Sequence, residues 1–350
     1  MSNYDLEHKI NELNERLENA EGGSTLGEWL NHVTLSGTIE LDYSYTDPRD
    51  VADATSDSTS DLDIGAVELG AEVQFHEYVT GNIIFKGEAL DGDDDRVFCD
   101  EATITIQKEG FPLYFAGGRG GQPFGVFESH LINDTITQDC YEVAKTGATL
   151  GFVPGMLGLD ISMSVYKGDA LIEHLDEAEV GAAVLLPDND DVSSCIVNVT
   201  MEPVEGLLLA AYWDSEPGEY ERNETAGGTI HFELERITLD AEYIGAVNRD
   251  REPGNEEYKE SAWFASAAIQ LADPLEIALR YESFNDDIDG NQDGHLENRY
   301  SVGANYTLFE KDPFAATLML EYRRSNYENE NGVTVEDTVN EAFAKLAFEF

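Results

Sequence analysis

A transmembrane antiparallel β-barrel of sixteen strands, led by a short N-terminal coiled-coil helix, is the all-β fold that the sequence predicts. Three observations carry it. Apolar and polar residues alternate with a period of two from Val33 to the C-terminus, the connections between these stretches are short and long by turns, and the last stretch ends on Phe350. Alternation over whole segments marks extended chain with two unlike faces. Short turns on one rim and long loops on the other are the habit of membrane barrels, and a soluble sandwich or propeller has no reason to sort its loops by side.

The first element is helical. Leu6, Ile10, Leu13, Leu17 and Ala20 recur at steps of four and three, with Glu, Asn, Lys and Arg between them, which is the heptad stripe of a coiled coil. Two heptads are marginal alone, so the stripe serves either an oligomerising coil or an amphipathic helix docked on a surface. Glu21-Gly-Gly-Ser-Thr25 then breaks it, which divides the chain into a helix and linker over residues 1–24 and a barrel over residues 31–350. The opening Met1-Ser-Asn-Tyr4 has neither the basic start nor the apolar core of a secretory signal. For an exported protein the expectation is a mature or engineered start.

The first strand sets the pattern: Val33, Leu35, Gly37, Ile39, Leu41, Tyr43 and Tyr45 alternate with Thr34, Ser36, Thr38, Glu40, Asp42 and Ser44. The same alternation returns around Val67–Phe75, Leu157–Val165, Leu275–Glu282 and Thr317–Arg323. The final strand places Ala342, Ala344, Leu346, Phe348 and Phe350 on one face, and a terminal Phe on an alternating strand resembles the C-terminal signal of bacterial outer-membrane proteins. Aromatics such as Tyr43, Phe75, Phe152, Trp213, Tyr243, Tyr281, Phe309 and Tyr322 sit near strand ends, where membrane barrels carry interfacial girdles.

Short connections fall near His76, Lys108–Pro112, Pro154, Glu202–Gly206, Glu235, Ala272–Pro274 and Glu310–Pro313. Long polar ones cover about 46–61, 90–96, 117–141, 168–190, 214–224, 247–259, 284–297 and 325–338. Seven short-turn hairpins, one strand rising from the coil and one descending to the C-terminus make sixteen strands. Val180–Leu186 is a seventeenth candidate, but counting it would leave the C-terminus on the wrong rim, so it is assigned to a loop.

Composition narrows the function. The longest apolar run, Leu207–Trp213, has seven residues, too few for a helical membrane span of about 20. With 72 acidic against 20 basic residues and a net charge of −52, binding to a phosphate backbone is excluded as a role, because it needs clustered Lys and Arg. Such acidity fits either a cation-attracting lumen or a chain adapted to concentrated salt. On the polar face the tally is fourteen acids, among them Glu40, Asp42, Glu72, Glu242 and Glu321, against the five bases Lys86, Lys145, Arg280, Arg323 and Lys345. Charged rings in a narrow pore set ion preference, so a cation-preferring channel is expected.

The loop that begins at Gly117 leaves its strand through glycines and carries Arg119, Phe124, Phe127, Glu128, His130 and Asp134. Folded inward, it would narrow the lumen. Its Gly-rich start lacks the Gly-Lys-Ser/Thr ending of a phosphate cradle. Gly118-Arg119, Pro123-Phe124-Gly125-Val126-Phe127-Glu128 and Ile132-Asn133-Asp134-Thr135-Ile136-Thr137 together resemble the signature segment of the LbtU-type siderophore porins. The N-terminal coil, the first strand from Ser36 to Tyr45, Asp100–Thr105 and Glu242–Val247 agree with that family in order and spacing. The resemblance implies an outer-membrane channel linked to siderophore passage, without a plug domain.

In a further loop, Asp287, Asp289, Asn291 and Asp293 alternate between glycines, with Glu297 following. Oxygen ligands at alternate positions suit calcium, although Glu297 comes one residue late for an EF-hand; the other reading is a hydrated acidic loop. Cys99, Cys140 and Cys195 are too few for a disulfide scaffold; Cys99 and Cys140, both beside long loops, are either one disulfide or free thiols. No Ser-His-acid set, His-Glu-x-x-His or Cys-x-x-Cys is present, so no enzyme is expected. The sequence therefore points to a passive outer-membrane porin for small solutes or ferric siderophores, trimeric, with a periplasmic N-terminal helix. The rivals are a general cation porin and a surface structural or adhesive barrel.

Overall fold

The computed structural model describes residues 32–49, 57–88, 90, 96–177, 191–251, 253–254, 259–285, 296–327 and 337–350. The N-terminal helix, the Val180–Leu186 segment and the candidate calcium ligands Asp287, Asp289, Asn291 and Asp293 lie outside them. The strands are β1 Val33–Arg49, β2 Thr59–Asp63 continued by Val67–His76, β3 Val79–Glu88, β4 Arg96–Gln107, β5 Leu113–Gly121 and β6 Ala144–Phe152. Next come β7 Asp160–Lys167, β8 Val192–Val204, β9 Leu207–Glu216, β10 Asn223–Leu234 and β11 Ile237–Asn248. The last are β12 Ser261–Ala272, β13 Leu275–Asn285, β14 Leu296–Lys311, β15 Phe314–Tyr327 and β16 Asp337–Glu349.

Each strand pairs antiparallel with its sequence neighbours, and β1 pairs with β16 from Thr38↔Glu349 to Arg49↔Thr338. The sheet is thus a closed sixteen-stranded barrel. Gly37 and Phe350 exchange two backbone hydrogen bonds of 3.0 Å at the seam, so the terminal aromatic residue completes the ladder. Closure leaves no edge, and that is the condition for strands to lie in hydrocarbon, where no water satisfies a free N–H or C=O. Among the described residues, no helix is long and apolar enough to cross a membrane.

β2 is one barrel strand in two pieces because its register against β1 slips by one residue, from Asp42↔Asp63 to Ile39↔Val67. Gly65 sits in this bulge, and a Cβ there would overlap the Asp42 carboxylate. A second irregularity at Asp100 shifts β4 against β3, between Ile84↔Glu101 and Phe85↔Cys99. Such bulges insert one unpaired residue and re-aim the side chains beyond it.

The outward face carries the apolar residues, including Leu35, Leu69, Phe85, Ile104, Leu150, Met163, Leu279 and Leu320, all exposed. Water-soluble proteins rarely expose so continuous an apolar surface, whereas a membrane barrel requires it. The turns at 77–78, 108–112, 153–159, 205–206, 235–236, 273–274 and 312–313 share one rim, and the eight other connections, most of them longer, share the other. Length alone does not sort every case, since the turn at 153–159 is longer than the loop at 217–222.

The buried apolar cluster lies within the barrel. Phe124, Ile136, Tyr141 and Val143 of the connection 122–143 and Leu171, Ile172 and Leu175 of the connection 168–191 pack against inner-wall residues such as Ile196, Tyr212, Ile244 and Phe284. Burying one such side chain contributes about 1.5–3 kcal/mol, enough for two short segments to hold a fixed position. All three cysteines are free, which settles the Cys99 and Cys140 alternatives in favour of thiols.

The glycines that lead out of β5 have different roles. Gly118 has φ +145°, and a Cβ there would overlap the Ala102 carbonyl oxygen, whereas one at Gly121 would meet nothing within 4 Å. Gly118→Ala is therefore expected to destabilise the barrel by about 1–3 kcal/mol while Gly121→Ala is close to neutral, as read from urea unfolding of the reconstituted protein. Equal midpoints for the two variants would contradict this strand geometry.

Candidate functional site

The connection 122–143 folds into the lumen. Its neck is closed by the Gln122 N–H donating to the Val143 carbonyl at 2.7 Å and by Gln122 Nε2 donating to the carbonyls of Gly120 (3.1 Å) and Lys145 (2.9 Å). Phe127 has φ +57° and packs against the apolar cluster, and Phe124 is buried edge-on to Tyr212 with ring centroids 5.1 Å apart. A six-residue helix, α1 (Ile136–Tyr141), follows, with the Thr135 hydroxyl accepting the Gln138 N–H at its start. Serine and threonine take this position because their oxygens satisfy an otherwise unpaired donor.

Irregular backbone inside a barrel must find partners for its polar groups, and here the wall supplies them. Glu242 accepts from the Val126 N–H (2.8 Å), the Thr137 hydroxyl (2.6 Å), the Tyr212 hydroxyl (2.6 Å) and the Thr229 hydroxyl (2.7 Å). Glu282 accepts the Ile136 N–H at 2.7 Å, and Glu321 accepts both the N–H and the side-chain amide of Asn133 at 3.0 and 2.9 Å. Arg280 donates to the Ser129 hydroxyl, the Asn133 carbonyl and the Asp134 carbonyl at 2.8, 3.0 and 2.8 Å. Hydrogen bonds to a charged partner contribute about 1.5–3 kcal/mol each, so this set fixes the loop.

His130 adds an ionic anchor. Its Nε2 lies 3.2 Å from Asp240 and its Nδ1 lies 3.4 Å from Glu276, while Asn305 donates to its carbonyl at 2.9 Å. The hydrogen bond to Asp240 first, and that to Glu276 second, push the His130 imidazole from 6.5 up to about 10. It is therefore a cation at neutral pH, donating from both ring nitrogens. A second insert, α2 (Ala170–Glu177), is held in the same manner, with the Leu171 and Ile172 N–H groups donating to Glu216 at 2.8 and 3.0 Å.

What remains open to water is acidic on the loop side. Glu128, Asp134, Asp139 and Glu142 are exposed. Three of the wall bases are held by carboxylates: Lys345 by Glu40 (2.6 Å) and Asp42 (3.7 Å), Arg323 by Glu341 (2.7 Å) and Lys86 by Glu68 (3.8 Å). Arg299 reaches Asp139 of the loop at 3.4 Å. Among the described residues, no group of three or more His, Cys, Asp or Glu side chains is arranged to hold a metal ion.

The residues singled out in the sequence thus divide. Glu40, Asp42 and Arg323 lie on the inner wall in ion pairs, and Glu72 is exposed on the same face. Glu128 and Asp134 lie on the exposed side of the loop, and His130 anchors it. Glu242, Arg280 and Glu321 are only 2%, 3% and 3% exposed; they hold the loop and do not line open water. Phe124 is buried in the apolar cluster. Arg119 requires a correction: β5 continues to Gly121, and the register Ile83↔Ala102↔Arg119 puts Arg119 on the face that carries Ile83, outside the lumen. Its Nε donates to the Cys99 carbonyl at 3.2 Å. Of the calcium candidates only Glu297 is described, an exposed residue where the β14–β15 register slips. Asn133, Arg299 and Asn305 were not legible as site residues; their one signal is an inward position on a strand or loop.

A closed sixteen-stranded barrel with an infolded loop defines the architectural class of the outer-membrane porins. Among solved structures the chain is similar to the outer-membrane channel DcaP of Acinetobacter baumannii, with a TM-score of 0.60 and 15% identity over 90% of this chain and 96% of that one. It is also similar to an anion-selective porin from Comamonas acidovorans, with a TM-score of 0.60 and 12% identity over 91% and 99% of the two chains. OmpF of Salmonella typhi, solved with daunomycin, gives a TM-score of 0.63 and 13% identity over 91% and 97%. At these identities the likeness is one of fold. In sequence, the chain is 24% identical over 326 residues to a UPF0422 protein of Coxiella burnetii, covering 86% of this chain and 66% of that protein, just under two thirds of the relative's length. No family model matches the chain.

Because the bound His130 titrates near pH 10 and a free histidine near 6.5, its anchoring is fully present below pH 6.5 and is lost as pH rises through about 10. Fluctuations of the channel current are expected to be sparse at pH 6 and to grow toward pH 10. His130→Gln should raise them on the order of tenfold at pH 7, in line with losing charged hydrogen bonds of about 1.5–3 kcal/mol each, and should flatten the pH dependence. A wild-type trace indifferent to pH over this range would remove His130 as an anchor.

Proposed function

We propose that the protein is an outer-membrane porin, a passive water-filled channel for small solutes that prefers cations and works as a homotrimer. The observation that carries the reading is the division of charge around the inner loop. The loop turns the acids Glu128, Asp134, Asp139 and Glu142 toward the open lumen, while the wall bases Lys86, Arg323 and Lys345 are each within 4 Å of a carboxylate. A base already paired adds little net field for an anion to follow, and the same holds for Asp139, which lies 3.4 Å from Arg299; the exposed carboxylates of Glu128, Asp134 and Glu142, in a narrow, low-dielectric tube, raise the local cation concentration. The lumen thus differs in charge from what the anion-selective porin of the same fold is named for.

The sequence resemblance to the LbtU-type siderophore porins supports a finer substrate class, ferric siderophores. The exposed loop acids suit complexes of neutral or positive charge over strongly anionic ones. Closure of the barrel and its continuous apolar outer face support residence in the outer membrane.

Reversal potentials across a planar bilayer with a KCl gradient at about 0.1 M test this reading, because screening at that ionic strength still leaves fields over about 10 Å. The expected sign is that of a cation-preferring pore, and replacing the four loop acids by their amides should bring the preference close to zero. Anion preference in the wild type would overturn the proposal. Block of the current by ferric siderophores added on the long-loop side would support the finer reading.

A further inference from the structure

The outward face contains a groove that a uniform lipid-facing wall does not need. The register across β12 to β15 aligns two outward rows, Ala265–Tyr281–Tyr300–Arg324 and Ala267–Leu279–Val302–Tyr322. Ala265 and Ala267 are short and the neighbouring side chains tall, so a depression of about 540 Å³ opens between them. Its tyrosine wall is ordered: the Tyr281 ring packs 5.2 Å from Trp263 on one side and 4.9 Å from Tyr300 on the other.

At the long-loop end stands Arg324, opposite Tyr300 and exposed. Among the described residues its guanidinium makes one hydrogen bond, a long one of 3.4 Å from Nε to the Asn326 side chain, so the fork of its two terminal nitrogens is available on the outer face. An outward arginine is costly at the bilayer midplane and favourable only at headgroup depth, and the tyrosines beside it mark that depth. In a chain of 72 acids and 20 bases, Arg324 sets a positive charge beside an apolar groove, against a net charge that repels anions. A flexible apolar tail below a planar, forked cation is the complement of a lipid bearing a phosphate, which arginine binds through two parallel hydrogen bonds.

We propose that this groove holds one lipid with an anionic phosphate headgroup from the long-loop leaflet. An acyl chain runs over Ala265 and Ala267, and the phosphate rests on Arg324. The inference depends on the barrel residing in a membrane.

Trp263 borders the groove and reports on it. In the full chain with Trp29→Phe and Trp213→Phe, reconstituted in phosphatidylcholine vesicles, brominated phosphatidylglycerol should quench Trp263 at a several-fold lower mole fraction than brominated phosphatidylcholine. Arg324→Gln should abolish that difference, and Ala267→Leu, which fills the groove, should weaken quenching by both lipids. Equal quenching by the two lipids in the parent protein, or a preference that survives Arg324→Gln, would overturn the site. Quenching by neither lipid would instead overturn the membrane reading beneath it.

Discussion

The structure depends on one constraint: every backbone donor and acceptor that lies at membrane depth out of reach of water must find its partner within the protein. The wall meets it by closing β16 on β1, so that no strand edge is left. The inner loop cannot meet it in the same way, because it has no ladder to join. Its peptide groups are satisfied by side chains of the wall, chiefly Glu242, Glu282, Glu321 and Arg280, which lie on the inward faces of β11, β13 and β15. A polar lumen is therefore as much a support for the loop as a path for solutes.

The abundance of acidic residues takes on two distinct meanings in this light. Carboxylates buried behind the loop are acceptors for N–H and hydroxyl groups, and the charges of Glu282 and Asp240 are also met by Arg280, Arg299 and His130. Carboxylates on the open side remain in water and carry the field. Counting all inward acids together overstates the second group, since a buried acid hydrogen-bonded to the loop has little left to offer a passing ion. The bases are divided likewise, and the paired ones contribute more to holding the wall than to attracting anions.

Much of the barrel was legible because a strand between water and lipid must alternate, and a one-residue error would turn its apolar row inward. The strand count and the rims follow from that alternation together with loop length. Side-chain direction was less legible wherever the chain departs from strict alternation. Glycines 117, 118, 120 and 121 read as the start of a loop, yet they continue β5, and so Arg119 faces outward. The bulge at Asp100 reverses which residues of β4 face inward, a change that composition does not announce. Phe124 drew notice as an aromatic residue on a constriction loop, but its apolar surface is better placed in the packed cluster with Tyr212. Partners such as Asn133 and Asn305 carry no local pattern, because they are selected by what the loop brings beside them.

The central claim is that one face of each strand meets hydrocarbon and the other meets water. Single cysteines placed at successive positions from Ile39 to Tyr43, in a chain with Cys99, Cys140 and Cys195 replaced, test it most directly in vesicles. Positions 40 and 42 should react with a charged, water-borne thiol reagent and resist a lipid-confined one, while 39, 41 and 43 show the reverse. Uniform reaction with the charged reagent along the strand would contradict the account.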